Sequence, residues 1–114
     1  MTERDRMDAT YDLHAQVLKV LADPRRLEIV HLLGTGPRDA SSLAKGLSTD
    51  RDSTCGHLSA LIAAGLVEPR DRNGMVSYEL SDPDVMAACE LLRGVLRRRL
   101  DSSGAWAPSA GCVE

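Results

Sequence analysis

The sequence predicts a mainly α-helical fold carrying one small β-hairpin, and three observations predict it. Aromatic residues are scarce: only Tyr11, Tyr78 and Trp106 occur in 114 residues, with no Phe. Leu, Val and Ala must then fill the interior, which favours helix packed on helix. Asp-Pro steps stand at Asp23-Pro24 and Asp82-Pro83. Asp is a good N-cap and Pro suits the first helical position, so each step reads as a helix start. Asn73-Gly74 lies between two short runs of strand character, and both residues tolerate positive φ, so a hairpin is expected there. The chain from Asp52 to Leu80 reads DSTCGHLSALIAAGLVEPRDRNGMVSYEL. A helix of short polar side chains that runs directly into a two-stranded hairpin is the layout of a winged helix-turn-helix. The expected order is four helices, two strands and a fifth helix.

Taken in order, residues 1–9 are polar and charged and read as a flexible N-terminal arm. From Tyr11, apolar residues recur at Leu13, Val17, Val20 and Leu21, the stripe of a first helix. A second helix starts at Asp23-Pro24, carries Leu27, Val30 and Leu33, and stops at Gly34-Thr35-Gly36-Pro37. A short third helix has Asp39 as its cap and turns Leu43, Ala44 and Leu47 inward. Ser48-Thr49-Asp50 leads into the fourth, which buries Leu58, Leu61 and Ile62 and ends near Gly65. Residues 66–70 and Met75–Leu80 read as strands, with Val76, Tyr78 and Leu80 facing inward on the second. The last helix carries Val85, Cys89, Leu92, Leu96 and Leu100, close to a heptad seam. One domain over residues 10–101 is expected, followed by a flexible tail over 102–114. A domain this small often completes its burial by dimerising, and Leu13, Val17, Val85, Cys89, Leu92 and Leu96 are the expected homodimer interface.

The formal net charge is −3, which argues mildly against a nucleic-acid binder. Residues 38–72 carry five basic residues (Arg38, Lys45, Arg51, Arg70, Arg72) and five acidic ones (Asp39, Asp50, Asp52, Glu68, Asp71), so the presumed reading surface is neutral. Phosphate contacts dominate affinity, and a neutral surface predicts modest, salt-sensitive binding. Arg97-Arg98-Arg99 is the one dense basic run, read as a solvated helix end where cations suit the dipole. The three cysteines, Cys55, Cys89 and Cys112, show no paired spacing and do not form a disulfide framework. No apolar run approaches bilayer length and no signal peptide opens the chain, so a cytoplasmic protein with reduced thiols is expected. An enzyme is not expected: neither nucleophile–base spacing nor a Gly-rich phosphate loop appears.

Residues 18–100 resemble the ArsR/SmtB transcriptional regulators. The likeness is carried by Leu21-Ala22-Asp23-Pro24-Arg25-Arg26-Leu27 with Ile29 and Leu32-Leu33, by Leu43-Ala44, and by His57-Leu58, Leu61 and Ala64-Gly65-Leu66-Val67. Arg72, Gly74, Tyr78 and Leu80 follow in the wing. The resemblance implies a homodimer seamed by its first and last helices, with two recognition helices meeting successive major grooves of double-stranded operator DNA. The sequence departs from it at Cys55, where the family often has Ser, and at Gly56, where it has a bulkier polar residue.

The candidate DNA-reading residues are Arg51, Ser53, Thr54, His57 and Ser59 on the fourth helix and Arg70, Arg72 and Asn73 at the wing. Ser and Thr can bond to bases or phosphates, and Arg can fork onto guanine. For His57 the alternative is a brace within the turn; for Asn73 it is the turn alone.

Metal sensing is the habit of many such regulators, and their familiar sites are broken here. The third-helix thiolate positions are Asp39 and Ser41. At the last-helix site Asp82 and Asp84 match only in part, and the later positions are Val95 and Arg98. The recognition-helix cysteine positions are Ala60 and Ala64. Asp12, His14 and Cys112 remain as candidate ligands, a mixed N/O/S set that suits nickel or zinc. The plainer readings make His14 a surface or seam histidine, His31 a satisfied core histidine and Cys89 a small core hydrophobe. Two alternatives to a free-standing regulator stay open: an interaction module acting through an accessory protein, and a thiol switch at Cys55.

Overall fold

The computed structural model describes residues 2–103. Helices α1 (Glu3–Leu21), α2 (Pro24–Leu33), α3 (Ala40–Leu47) and α4 (Arg51–Ala63) precede strands β1 (Val67–Arg72) and β2 (Met75–Leu80), and α5 (Asp84–Ser103) closes the order. The mainly helical, winged helix-turn-helix architecture is therefore present as expected.

Local chemistry sets most of the boundaries. Asp23 caps α2 by accepting the backbone N–H groups of Arg25 (2.8 Å) and Arg26 (3.3 Å), with Pro24 at the first helical position. Asp39 accepts from the Ser42 N–H at 2.7 Å, and Asp50 from the Ser53 N–H at 2.7 Å, capping α3 and α4. Ser48 ends α3 in the left-handed region (φ 54°). Asn73 (φ 57°) and Gly74 (φ 82°) join β1 to β2, and the Gly74 N–H donates to the Asp71 carboxylate at 3.1 Å. The strands pair antiparallel from Val67↔Leu80 to Arg72↔Met75.

The core lies where α2, α3 and α4 meet the root of the hairpin. Ile29, Val30, Leu33, Leu43, Leu47, Leu58, Leu61 and Val67 are buried, and Tyr78 and Leu80 pack against them. A further contact holds the wing to this body: Arg38 exchanges two backbone hydrogen bonds with Tyr78 (3.1 and 2.8 Å), so the loop before α3 acts as a third, one-residue strand. The Arg38 side chain in turn donates to the Leu32 carbonyl and the Ser42 hydroxyl.

Four expectations change. The helix runs back through most of the supposed N-terminal arm, because Thr2 and Asp5 cap it reciprocally (3.1 and 3.2 Å). Val76 is exposed, since the hairpin leaves the body beyond Tyr78; Tyr78 and Leu80 alone turn inward. His31 is no core residue: it lies exposed on α2 and pairs with Glu90 of α5 at 3.3 Å. Finally, α5 extends two residues past the expected domain end, to Ser103. The expected tail otherwise lies outside the described residues, as do Trp106 and Cys112.

Candidate nucleic-acid interface

Helix α4 is built with two unlike faces. Thr54, Leu58 and Leu61 point into the core, while Arg51, Asp52, Ser53, Cys55, Gly56 and Ser59 are exposed. Arg51, Cys55 and Ser59 recur every four residues and so share one face. Gly56 lies beside them with open space where a Cβ would stand. The solvent side of α4 is thus a strip of short side chains with a cation near its N-terminus. Arg51 also lines the shallow cleft occupied on its other side by Gly74, Met75 and Val76, so the start of α4 and the wing form one surface.

The structure sorts the expected DNA-reading residues into three groups. Arg51 and Ser59 are exposed on the strip, and Arg72 is exposed at the wing tip without an ion pair among the described residues. Ser53, Asn73 and Arg70 are exposed but already engaged. The Ser53 hydroxyl donates to the Asp50 carboxylate at 3.2 Å, and Asn73 forms the turn. Arg70 is held between Glu79 (2.8 Å) and Glu68 (3.1 Å), which push its pKa up and balance its charge. Thr54 and His57 face the protein. Thr54 is fully buried and its hydroxyl donates to the Asp50 carbonyl at 2.9 Å, which removes it from the reading surface. His57 is half-buried, and its Nδ1 accepts from the Arg26 Nε–H at 3.1 Å, the brace that was its alternative.

The carboxylates that hold this surface are tuned by their caps. Hydrogen bonds from the Ser53 N–H and hydroxyl hold the Asp50 carboxyl below its usual range. Burial pushes the Asp23 carboxyl up, but hydrogen bonds from the backbone N–H groups of Arg25 and Arg26, with the Arg26 guanidinium nearby, outweigh it and leave the pKa lowered.

The interface residues expected at the ends of the chain also divide. Leu13 and Leu92 are each 61 % exposed and Leu96 is exposed, while Val17 is half-buried. Val85 and Cys89 pack against the protein's own core instead, because the first turns of α5 dock on α2 with Met86 lying against Gly34. Burial and the neighbouring Glu90 raise the Cys89 thiol pKa, so it stays protonated and apolar. No residue of α1 is buried. Asp12 and His14 are both exposed on α1, and no cluster of three His, Cys, Asp or Glu suited to a metal occurs among the described residues.

The profile of the bacterial regulatory protein arsR family matches residues 23–69, the span from the α2 cap through α4 into β1. The transcriptional activator HlyU of Vibrio cholerae is 34 % identical over 76 residues, covering 67 % of this chain and 70 % of that protein. This chain belongs to the ArsR family. The HTH-type transcriptional regulator Rv0324 of Mycobacterium tuberculosis is 33 % identical over 98 residues, which are 86 % of this chain and 43 % of that protein. A probable mercury resistance operon repressor of Streptomyces lividans is 32 % identical over 72 % of this chain and 66 % of its own length. The chain thus spans less than two thirds of the length of both these relatives. Among solved structures, the homodimeric winged helix-turn-helix DNA-binding domain of Mb0332 from Mycobacterium bovis superposes with TM-score 0.78 at 29 % identity, over 94 % of this chain and 97 % of that one. Reduced HlyU from Vibrio cholerae gives TM-score 0.70 at 30 % identity, over 79 % and 95 %. The ArsR family and these relatives are transcriptional regulators, not enzymes.

Sequence reasoning gave no separate role to Arg26 and Arg38. Arg26 stands inside the quoted Asp-Pro motif, but its partner His57 is 31 positions away and no local pattern joins them. Arg38 acts mainly through its backbone, which carries no side-chain signature.

Proposed function

We propose that this ArsR-family protein is a cytoplasmic, homodimeric regulator that binds operator DNA through α4 and the hairpin. The observation that carries the reading is the outer strip of α4. Its short side chains allow the helix axis to lie deep in a major groove, and Arg51 and Ser59 offer hydrogen bonds there. Arg72 projects from the adjoining wing tip toward the flanking minor groove or backbone. The bare apolar faces of α1 and α5 supply the dimer seam, and a two-fold axis through it sets the two strips about one DNA turn apart.

Fluorescence anisotropy with a duplex from the protein's own promoter region tests this. Binding tighter than about 1 µM at low salt is expected, falling linearly on logarithmic axes as salt rises. Arg51→Ala and Arg72→Ala each weaken it. Absence of submicromolar binding at low salt sinks the proposal. The charge balance at Arg70 favours one alternative, DNA binding only in complex with an accessory protein, which co-purification followed by the same assay detects.

As for nickel or zinc as effector, the described residues do not fit a metal site. Asp12 and His14 stand two apart on a helix and do not share a face, so a complete ligand set would require groups from a second protomer. Calorimetry of the dimer with either metal tests for such a shared set: saturable binding supports a metal effector, and its absence removes one.

A further inference from the structure

We propose that Arg26 is the residue that positions the recognition helix, by clamping His57 of α4 to the end of α1. The inference rests on the DNA-binding reading above and adds the device that orients its probe.

The guanidinium holds two elements at once. Its Nε–H donates to His57 Nδ1 at 3.1 Å, and its Nη1–H donates to the Val20 carbonyl at 3.1 Å. Val20 lies in the last turn of α1, where carbonyls lack partners within the helix and the dipole favours a cation. The backbone under this side chain is fixed as well, since the Arg26 N–H donates to the Asp23 cap. Arg25, its neighbour, reaches the Leu47 carbonyl at the end of α3. Two successive arginines at the start of α2 thus tie down the ends of α1 and α3, and only Arg26 also grips a side chain of α4.

The planar fork of Arg explains why this residue type is needed. Its N–H groups diverge at fixed angles, so the direction from Val20 to His57 is set by the side chain itself. A Lys ammonium keeps the charge and can satisfy one partner, but it does not impose that angle. His57 must take part as an acceptor at Nδ1, which leaves the proton of the neutral ring on Nε2. The ring's role is therefore at its δ position, toward the protein. Because α1 is also the bare helix proposed to form the seam, the clamp joins the dimer contact to the DNA probe through one side chain.

Asn and Gln at position 57 separate the two possible roles of the ring. The Asn side-chain oxygen sits near the place of Nδ1, and that of Gln near the place of Nε2. With anisotropy on the promoter duplex, His57→Asn is expected to keep affinity within about threefold, while His57→Gln and Arg26→Lys each lose about tenfold. The Arg26→Lys/His57→Gln pair is expected to bind no more weakly than either single variant. Melting and light scattering confirm that each variant is folded and of unchanged size. Amide exchange of residues 51–63 in the free protein supplies a readout independent of DNA: it accelerates in Arg26→Lys and His57→Gln but not in His57→Asn. Retention by Gln with loss by Asn, or additive losses in the double variant, overturns the proposal. If wild-type protein binds no DNA, the function reading fails, and the exchange pattern still decides the clamp.

Discussion

The middle of the chain and its two ends treat apolar residues in opposite ways. From α2 to the root of the hairpin, Ile29, Leu43, Leu47, Leu58 and Leu61 are at most 2 % exposed. In α1 and the middle of α5, Tyr11, Leu13, Leu18, Leu91 and Leu92 are at least half exposed. Composition does not separate these regions, because both are rich in Leu. What separates them is company. The middle helices meet each other at short connections and close a core, whereas the end helices project beyond it and, among the described residues, pack apolar side chains against it at Val20, Leu21, Val85, Met86 and Cys89. A face of this kind is a binding surface waiting for an apolar partner. Between α1, α2 and α5 it includes a cavity of about 260 Å³ lined by Leu18, Leu21, Val30, Met86, Cys89 and Leu92. The lesson is that stability and assembly are encoded in different segments and can be perturbed separately.

The contrast is open to attack at several points. The largest effect is expected from Leu61→Ala, which empties a fully buried site. About 3 kcal/mol of unfolding free energy is lost, read by chemical denaturation, with secondary structure retained in buffer. Leu92→Asp comes next. It leaves the fold of each protomer intact by circular dichroism but weakens self-association by about 2 kcal/mol or more, because a carboxylate is placed in the seam of each subunit. Light scattering that shows an undiminished dimer would place the seam elsewhere. Gly34→Ala probes the point where the two regions touch. Its Cβ would run into the Met86 thioether, so the Met86 side chain must swing aside or α5 must shift, at a cost of about 1 kcal/mol in the melting of the protein.

The smallest effect is expected from acid. Its cap hydrogen bonds hold the Asp50 carboxyl below the ordinary value of 3.8, so its contribution is fully present above that value and fades as pH falls below it toward the folded pKa. A melting-temperature profile below about pH 4 should therefore be shallower in Asp50→Asn, which keeps a capping oxygen without titrating.

Much of this organisation is legible in the sequence because it is local. The start of α2 at Asp23-Pro24, the cap at Asp39, the Ser48-Thr49-Asp50 turn into α4, and the turn at Asn73-Gly74 each depend on four or five consecutive residues. The start of α1 is equally local, yet the charged composition of residues 1–9 masks the Thr2–Asp5 cap. What escapes is the state of a side chain whose partner is distant. Thr54 has the chemistry of a DNA-contacting residue, and only packing reveals that it faces the core. His57 shows no sign of its partner until α2 is laid across α4. Arg70 looks like a wing cation until strand register brings Glu79 diagonally across from it. Local signals therefore define the scaffold and the strip on α4, while the division of that surface into free and engaged groups belongs to the folded chain.

The backbone seam between Arg38 and Tyr78 has a mechanical consequence. It fastens the hairpin at the Pro69↔Tyr78 pair and leaves three residue pairs, from Arg70↔Ser77 outward, beyond the fastening. At roughly 3.3 Å per residue the free overhang is about 10 Å long. A beam that short is stiff: a tilt of about ten degrees at its root carries Arg72 sideways by only about 2 Å. The wing tip is therefore steered by displacement of the loop before α3, which moves the pivot itself, more than by bending of the strands.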